Sequence, residues 1–158
     1  MTDTGRVELE WGIRKSFVTY VERLPDGSVS ATGGAVRDGD VFRLSGRRLV
    51  SGGWAFDGVL HFSGYSGVLD VTLEAIRIDG AELSAEVGGT RITLALLAEP
   101  SNAAGDDESL RVDAVLFTDD GGAVFGGVYS ANTPADPITI RAVGEPTRDT
   151  FRARVRTP

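Results

Sequence analysis

Apolar and polar residues alternate with a period of two along most of this chain. Leu69, Val71, Leu73 and Ala75 interleave with Asp70, Thr72 and Glu74, and Leu110, Val112, Ala114 and Leu116 interleave with Arg111 and Asp113. Near the end, Phe151, Ala153 and Val155 interleave with Arg152, Arg154 and Arg156. Successive side chains of a strand point to opposite faces, so each run predicts a half-buried strand. The phase slips at "AIRI" (75–78), which predicts a bulge. Between the runs stand "RDGD", "SGGW", "IDGA", "VGGT" and "TDDGG", turn sequences that predict short hairpin connections.

One stretch has a different period. From Leu9 onward Ile13, Phe17, Tyr20 and Val21 recur at helical spacing, predicting one amphipathic helix over about residues 9–22 that stops by Pro25 in "LPDGS". The longest polar break, "AEPSNAAGDDES" at 98–109, reads as a mobile loop. The expected fold is therefore mostly β, an antiparallel sheet or sandwich-like arrangement with one short N-terminal α-helix. At 158 residues the chain, 1–158, suffices for a single domain and is short for two.

Composition adjusts this picture in a few places. Twenty-one glycines suit a chain with many tight turns. A formal charge of −7 argues against nucleic acid and anionic membrane as partners, since both need clustered positive charge. Cysteine is absent, which removes disulfides, thiolate metal sites and cysteine nucleophiles. The start "MTDTGRVELEWG" has no apolar segment of the signal-peptide kind and no run reaches membrane-span length, so a cytoplasmic protein is expected. Nothing in the sequence sets an oligomeric state.

Conventional catalytic chemistry finds little support. The lone histidine, His61 in "GVLHFSG", lacks the partners for a zinc site or a nucleophile-elbow triad and reads as an ordinary strand residue. Asp38 and Asp40, Asp106, Asp107 and Glu108, and Asp119 and Asp120 lie in turns or in the polar break, and no segment supplies a calcium-ligand series. "SGGWAFDG" and "GGAVFGG" lack phosphate-loop spacing. Arg152, Arg154 and Arg156 read as a solvated strand face. No catalytic residue can be named, and a binding protein is the better expectation than an enzyme.

The aromatic residues remain, and among them the tyrosines, of which there are three, are the most informative. A phenol withdrawn from water needs a hydrogen-bond partner or a metal. The segments "LEWGIRKSFVTYV" (9–21), "GVLHFSGYSGVLDVTLEAIRI" (58–78) and "TDDGGAVFGGVYSANTPADPITI" (118–140) carry Tyr20, Tyr65 and Tyr129. Together they resemble the HtaA family, the haem-binding domains of actinobacterial haem-uptake proteins. The resemblance implies a ferric haem as cofactor, held in a cleft by the tyrosine of a Ser-Phe-x-x-Tyr motif. Tyr20 matches that metal-ligating position, Phe17 belongs to the same motif, and Tyr129 matches a second pocket tyrosine. Typical members have a histidine hydrogen-bonded to the ligating tyrosine, in the pattern "FxGHxG"; here "FSGYSG" puts Tyr65 in its place. A phenol can donate to a phenolate or act as a ligand, but it is no imidazole-like base near neutral pH. Two functions follow from the resemblance: a haem-binding module for intracellular haem handling, or the same scaffold turned to another apolar small molecule, as carrier or enzyme. A third reading, an interaction domain, makes the tyrosines plain core or interface residues.

Overall fold

The computed structural model describes residues 6–98, 101–102, 109–127 and 129–143. In chain order the elements begin β1 (Arg6–Trp11), α1 (Lys15–Arg23), β2 (Ser28–Thr32), β3 (Val36–Asp38), β4 (Val41–Arg48), β5 (Trp54–Phe56) and β6 (Val59–Gly64). A 3-10 turn at Tyr65–Gly67 leads into β7 (Leu69–Asp79), β8 (Glu82–Val87) and β9 (Thr90–Leu97). The remainder is β10 (Ser101–Asn102), β11 (Ser109–Val112), β12 (Val115–Phe117), α2 (Asp119–Val124), β13 (Pro134–Ala135) and β14 (Ile138–Ala142).

The described strands form one antiparallel sheet of 14, in the order β10-β11-β14-β1-β4-β5-β7-β8-β9-β12-β13, with β3 on β4, and β2 joined to β7 through β6. The sheet curls into a half-barrel, and the chain itself shows why its ends must approach. β11 pairs with β14 near one end of that order and β12 pairs with β9 near the other. Yet Val112 and Val115 lie only three residues apart, which is at most about 11 Å of extended chain. The closure expected of a sandwich is thus made by one sheet turning on itself. Its inner face buries Leu9, Trp11, Phe42, Leu44, Phe62, Leu73, Phe117 and Ile138, and α1 packs Phe17, Val18 and Val21 into the same core.

The mostly β architecture with one longer helix agrees with the sequence pattern, and several boundaries do not. The helix starts at Lys15, not near Leu9, because Arg6–Trp11 is a strand whose Val7, Leu9 and Trp11 point inward while Glu8 and Glu10 do not. The four-residue spacing of Leu9, Ile13 and Phe17 imitates a helical stripe across a strand-to-helix junction. That junction is fixed by Ile13, buried at a left-handed φ of 63°, whose carbonyl accepts from Asp136 N at 2.8 Å. The Trp11 indole donates to Asp136 O at 2.9 Å, closing the other polar group of the corner.

"AIRI" does contain a bulge: the β7–β8 register shifts between Glu74 and Arg77, and Ala75 has φ 50°. The single strand expected over 110–116 is two strands, broken at Asp113–Ala114 where the chain crosses between the sheet ends. Within the 98–109 break Ser101–Asn102 pair with 110–111 rather than forming loop throughout. "TDDGG" is the start of a helix rather than a turn, since Thr118 caps α2 by accepting from Gly121 N at 2.9 Å. The strand expected at 151–156 lies outside the described residues. Among the described residues no helix is long and apolar enough to cross a membrane.

Candidate functional site: an aromatic cleft under the first helix

The apolar stripe of α1 is narrow, and Tyr20 sits on its edge. Phe17, Val18 and Val21 face the core, whereas Tyr20, three positions after Phe17, is 47% exposed. Phe17 is almost fully buried and meets Phe62, Phe125 and Tyr129 edge-on at centroid distances of 5.3, 5.0 and 6.5 Å. These are favourable arrangements for aromatic quadrupoles. The same ring is therefore both core residue and cleft floor.

Tyr129 forms the wall nearest α2. Its ring stacks on Phe117 at 5.5 Å and 29°, and the Arg14 guanidinium lies 5.0 Å over it. Arg14, immediately before α1, also donates from Nη1 to Pro134 O, so its cation is held in position over the ring. Close approach of α2 makes room for this wall: a Cβ on Gly121 would overlap Leu94 O, and one on Gly122 would overlap Tyr129 O.

Tyr65 forms another wall of the cleft and is held differently. After β6 ends, the backbone turns through left-handed conformations at Tyr65 (φ 58°), Ser66 (φ 53°) and Gly67 (φ 89°). The backbone N–H groups of Tyr65 and Ser66 donate to the two carboxylate oxygens of Asp26 at 3.0 and 2.7 Å. Those two bonds, Ser66 first, hold the Asp26 carboxyl below the ordinary carboxylate range. Tyr65 is 59% exposed and lines the same cleft as Tyr20. Partial desolvation, and then the charge and hydrogen bond of the Tyr65 phenol, raise Tyr20 above its usual value of 10.0.

All four residues singled out by sequence, Phe17, Tyr20, Tyr65 and Tyr129, line one cavity of about 580 Å³. That lies within the roughly 300–1,000 Å³ common for small-molecule sites. Val68, Leu69, Phe125 and Gly126 complete the lining. No motif singles them out, and Leu69 reads only as the first residue of a half-buried strand. His61 is not part of the cleft lining. It points away from the core on β6, between inward-facing Leu60 and Phe62, with Nε2 2.7 Å from Asp70 Oδ1. Among the described residues no three His, Cys, Asp or Glu side chains gather as a metal cluster. Chemically the cleft offers flat apolar walls and a pair of phenols at its rim. It can sandwich a conjugated ring system and present one anionic or hydrogen-bonding oxygen to it.

The sequence model of the HtaA family matches residues 6–141. No curated protein is significantly similar in sequence. Among solved structures, the fold is similar to the N-terminal domain of HtaA from Corynebacterium glutamicum, with TM-score 0.74 and 24% identity over 90% of this chain and 100% of that one. The C-terminal domain of the same protein gives TM-score 0.68 and 23% identity over 87% of this chain and 96% of that one. The haem-binding protein HtaB of C. glutamicum gives 0.65 and 19% over 88% and 94%.

Proposed function

This chain belongs to the HtaA family, and from that premise we propose that it is a haem-binding module whose cleft holds ferric haem with Tyr20 as the iron ligand. The observation that carries this reading is that Tyr20 and Tyr65 line one cavity together with Phe17 and Tyr129. Bound haem would supply a ferric iron, and Tyr20 is the residue that would offer it an oxygen donor. A phenolate is a hard anion suited to that role, and a bound cation stabilises the deprotonated phenol. Tyr65 donates its O–H to the Tyr20 oxygen once that oxygen has given up its proton, the part a histidine plays in typical members. Phe17, Phe125 and Tyr129 would supply the apolar lining against which the ring packs out of water.

The same lining supports a second reading, in which the Tyr20 and Tyr65 hydroxyls donate hydrogen bonds to a carbonyl or hydroxyl of another apolar small molecule. Titrating the purified protein with ferric haem separates the two. Saturable one-to-one binding, with a tyrosinate charge-transfer band that Tyr20→Phe abolishes, is the expected result. Binding and spectrum unchanged in Tyr20→Phe would remove Tyr20 as ligand, and absence of specific binding would favour the second reading.

A further inference from the structure

The Tyr20 and Tyr65 phenols of the cleft come from segments far apart in sequence, and a single turn joins them. Directly after α1, Leu24 N donates to Val21 O at 3.1 Å and Gly27 N to Leu24 O at 3.0 Å, so the turn 24–27 is tied to the end of the helix that carries Tyr20. Asp26 in that turn reaches 39 residues along the chain to the Tyr65 N–H and 40 to that of Ser66. Leu24 seals the same junction from below, because a Cβ on Gly64, the residue before Tyr65, would come within 2.7 Å of Leu24 Cδ1. The Tyr65 turn is therefore fastened to the helix end, not merely to its own strands.

We propose that Asp26 is a positioning residue for ligand binding, its carboxylate fixing the left-handed turn at Tyr65 and Ser66 so that the Tyr65 phenol stays in the cleft it lines with Tyr20. The inference rests on the haem-binding reading of the cleft and adds to it a residue outside the lining. Its physical basis is local. A left-handed backbone at Tyr65 is unfavourable for a bulky side chain and persists only when its surroundings impose it. Two charge-assisted hydrogen bonds to one carboxylate impose it at both residues together. Without them the turn samples other conformations, and each time the phenol leaves the cleft the bound state must repay that ordering.

The test compares Asp26→Ala, Asp26→Asn, Tyr65→Phe and the double variant Asp26→Ala/Tyr65→Phe in ferric haem titrations, with amide hydrogen exchange of the haem-free proteins alongside. Asp26→Ala is expected to weaken haem binding on the order of 10-fold, within the range seen when an outer partner of a metal ligand is lost. Tyr65→Phe should weaken it by a similar factor, and Asp26→Ala should add nothing in that background, because Asp26 acts through the phenol. Asp26→Asn, whose carboxamide oxygen still accepts a hydrogen bond, should restore part of the loss and keeps the test meaningful if the alanine variant folds poorly. Exchange at the Tyr65 and Ser66 amides should speed up in both Asp26 variants. Unchanged exchange, wild-type haem affinity in Asp26→Ala, or losses that multiply in the double variant would each overturn the proposal. Wild-type affinity in Tyr65→Phe together with faster exchange in Asp26→Asn would overturn it differently: the turn would be held by Asp26, but the haem-binding reading of Tyr65 would be the part that failed.

Discussion

The two walls of the cleft are built on different physics. Tyr129 is held by packing: Phe117 stacks on it, Phe17 meets its edge, and Arg14 lies over the ring. Tyr65 is held through its backbone, by two N–H bonds to Asp26, while its ring stands well out in solvent. Packing ties a residue to the stability of the whole domain, because the same contacts form the core. A hydrogen-bonded turn can instead be loosened without opening that core. One side of the cleft should therefore fail only with the fold, and the other can fail alone.

The largest effect should come from breaking the packed side. Phe17→Ala removes the ring shared by core and cleft floor and is expected to cost about 3–5 kcal/mol of folding stability, read from denaturant or thermal unfolding. Haem binding should fall with it. An intact melting profile with binding alone lost would show that Phe17 contributes little to the core. A smaller effect is expected from Arg14→Ala, about 1 kcal/mol, since it removes a cation–π contact and the bond to Pro134 O and leaves the Phe117 stack in place. Arg14→Lys should not fully restore it, because an ammonium cannot lay a planar fork over the ring.

The smallest change sharpens the comparison from the other side. The folded pKa of Asp26 is depressed, so its contribution to the Tyr65 turn is complete above the ordinary carboxylate range, about pH 4, and is lost as pH falls through the lower folded value. Acidification should release the Tyr65 and Ser66 amides before Tyr129 loses its ring contacts, a sequence that residue-resolved NMR can follow. Glu22 titrates in the same direction, its carboxyl lowered chiefly by the Arg37 hydrogen bond. The readout must therefore be local to residues 65 and 66 and not a global unfolding signal. In Asp26→Asn the early step should be missing.

Much of this site was legible because its chemistry lies in short motifs. Phe17 and Tyr20 share one helical segment, and Tyr65 and Tyr129 each stand in a local pattern that the family resemblance covers. Asp26 was not legible. In "LPDGS" it reads as an ordinary turn residue, and nothing local announces a bond to a backbone 39 residues away. The same limit explains the early helix boundary. Leu9, Ile13 and Phe17 fit one helical face by spacing alone, whereas the alternation of Val7, Leu9 and Trp11 acquires its meaning only from β4 and β14 on either side. Strand pairing also decides why the run at 110–116 breaks, since its halves join opposite ends of a curled sheet. Period reports which face is buried; it is silent about what lies across from it.

The glycines of α2 have a practical consequence for anyone wishing to make this protein more heat-resistant. Replacing glycine by alanine inside a helix is a standard stabilising change, with an expected gain of roughly 0.4–1 kcal/mol where the native backbone can accept it. Here the added methyl would strike Leu94 O at position 121 and Tyr129 O at position 122. A thermostability campaign guided by helix propensity would select these two sites first and would push the helix off the sheet, carrying the Tyr129 wall with it.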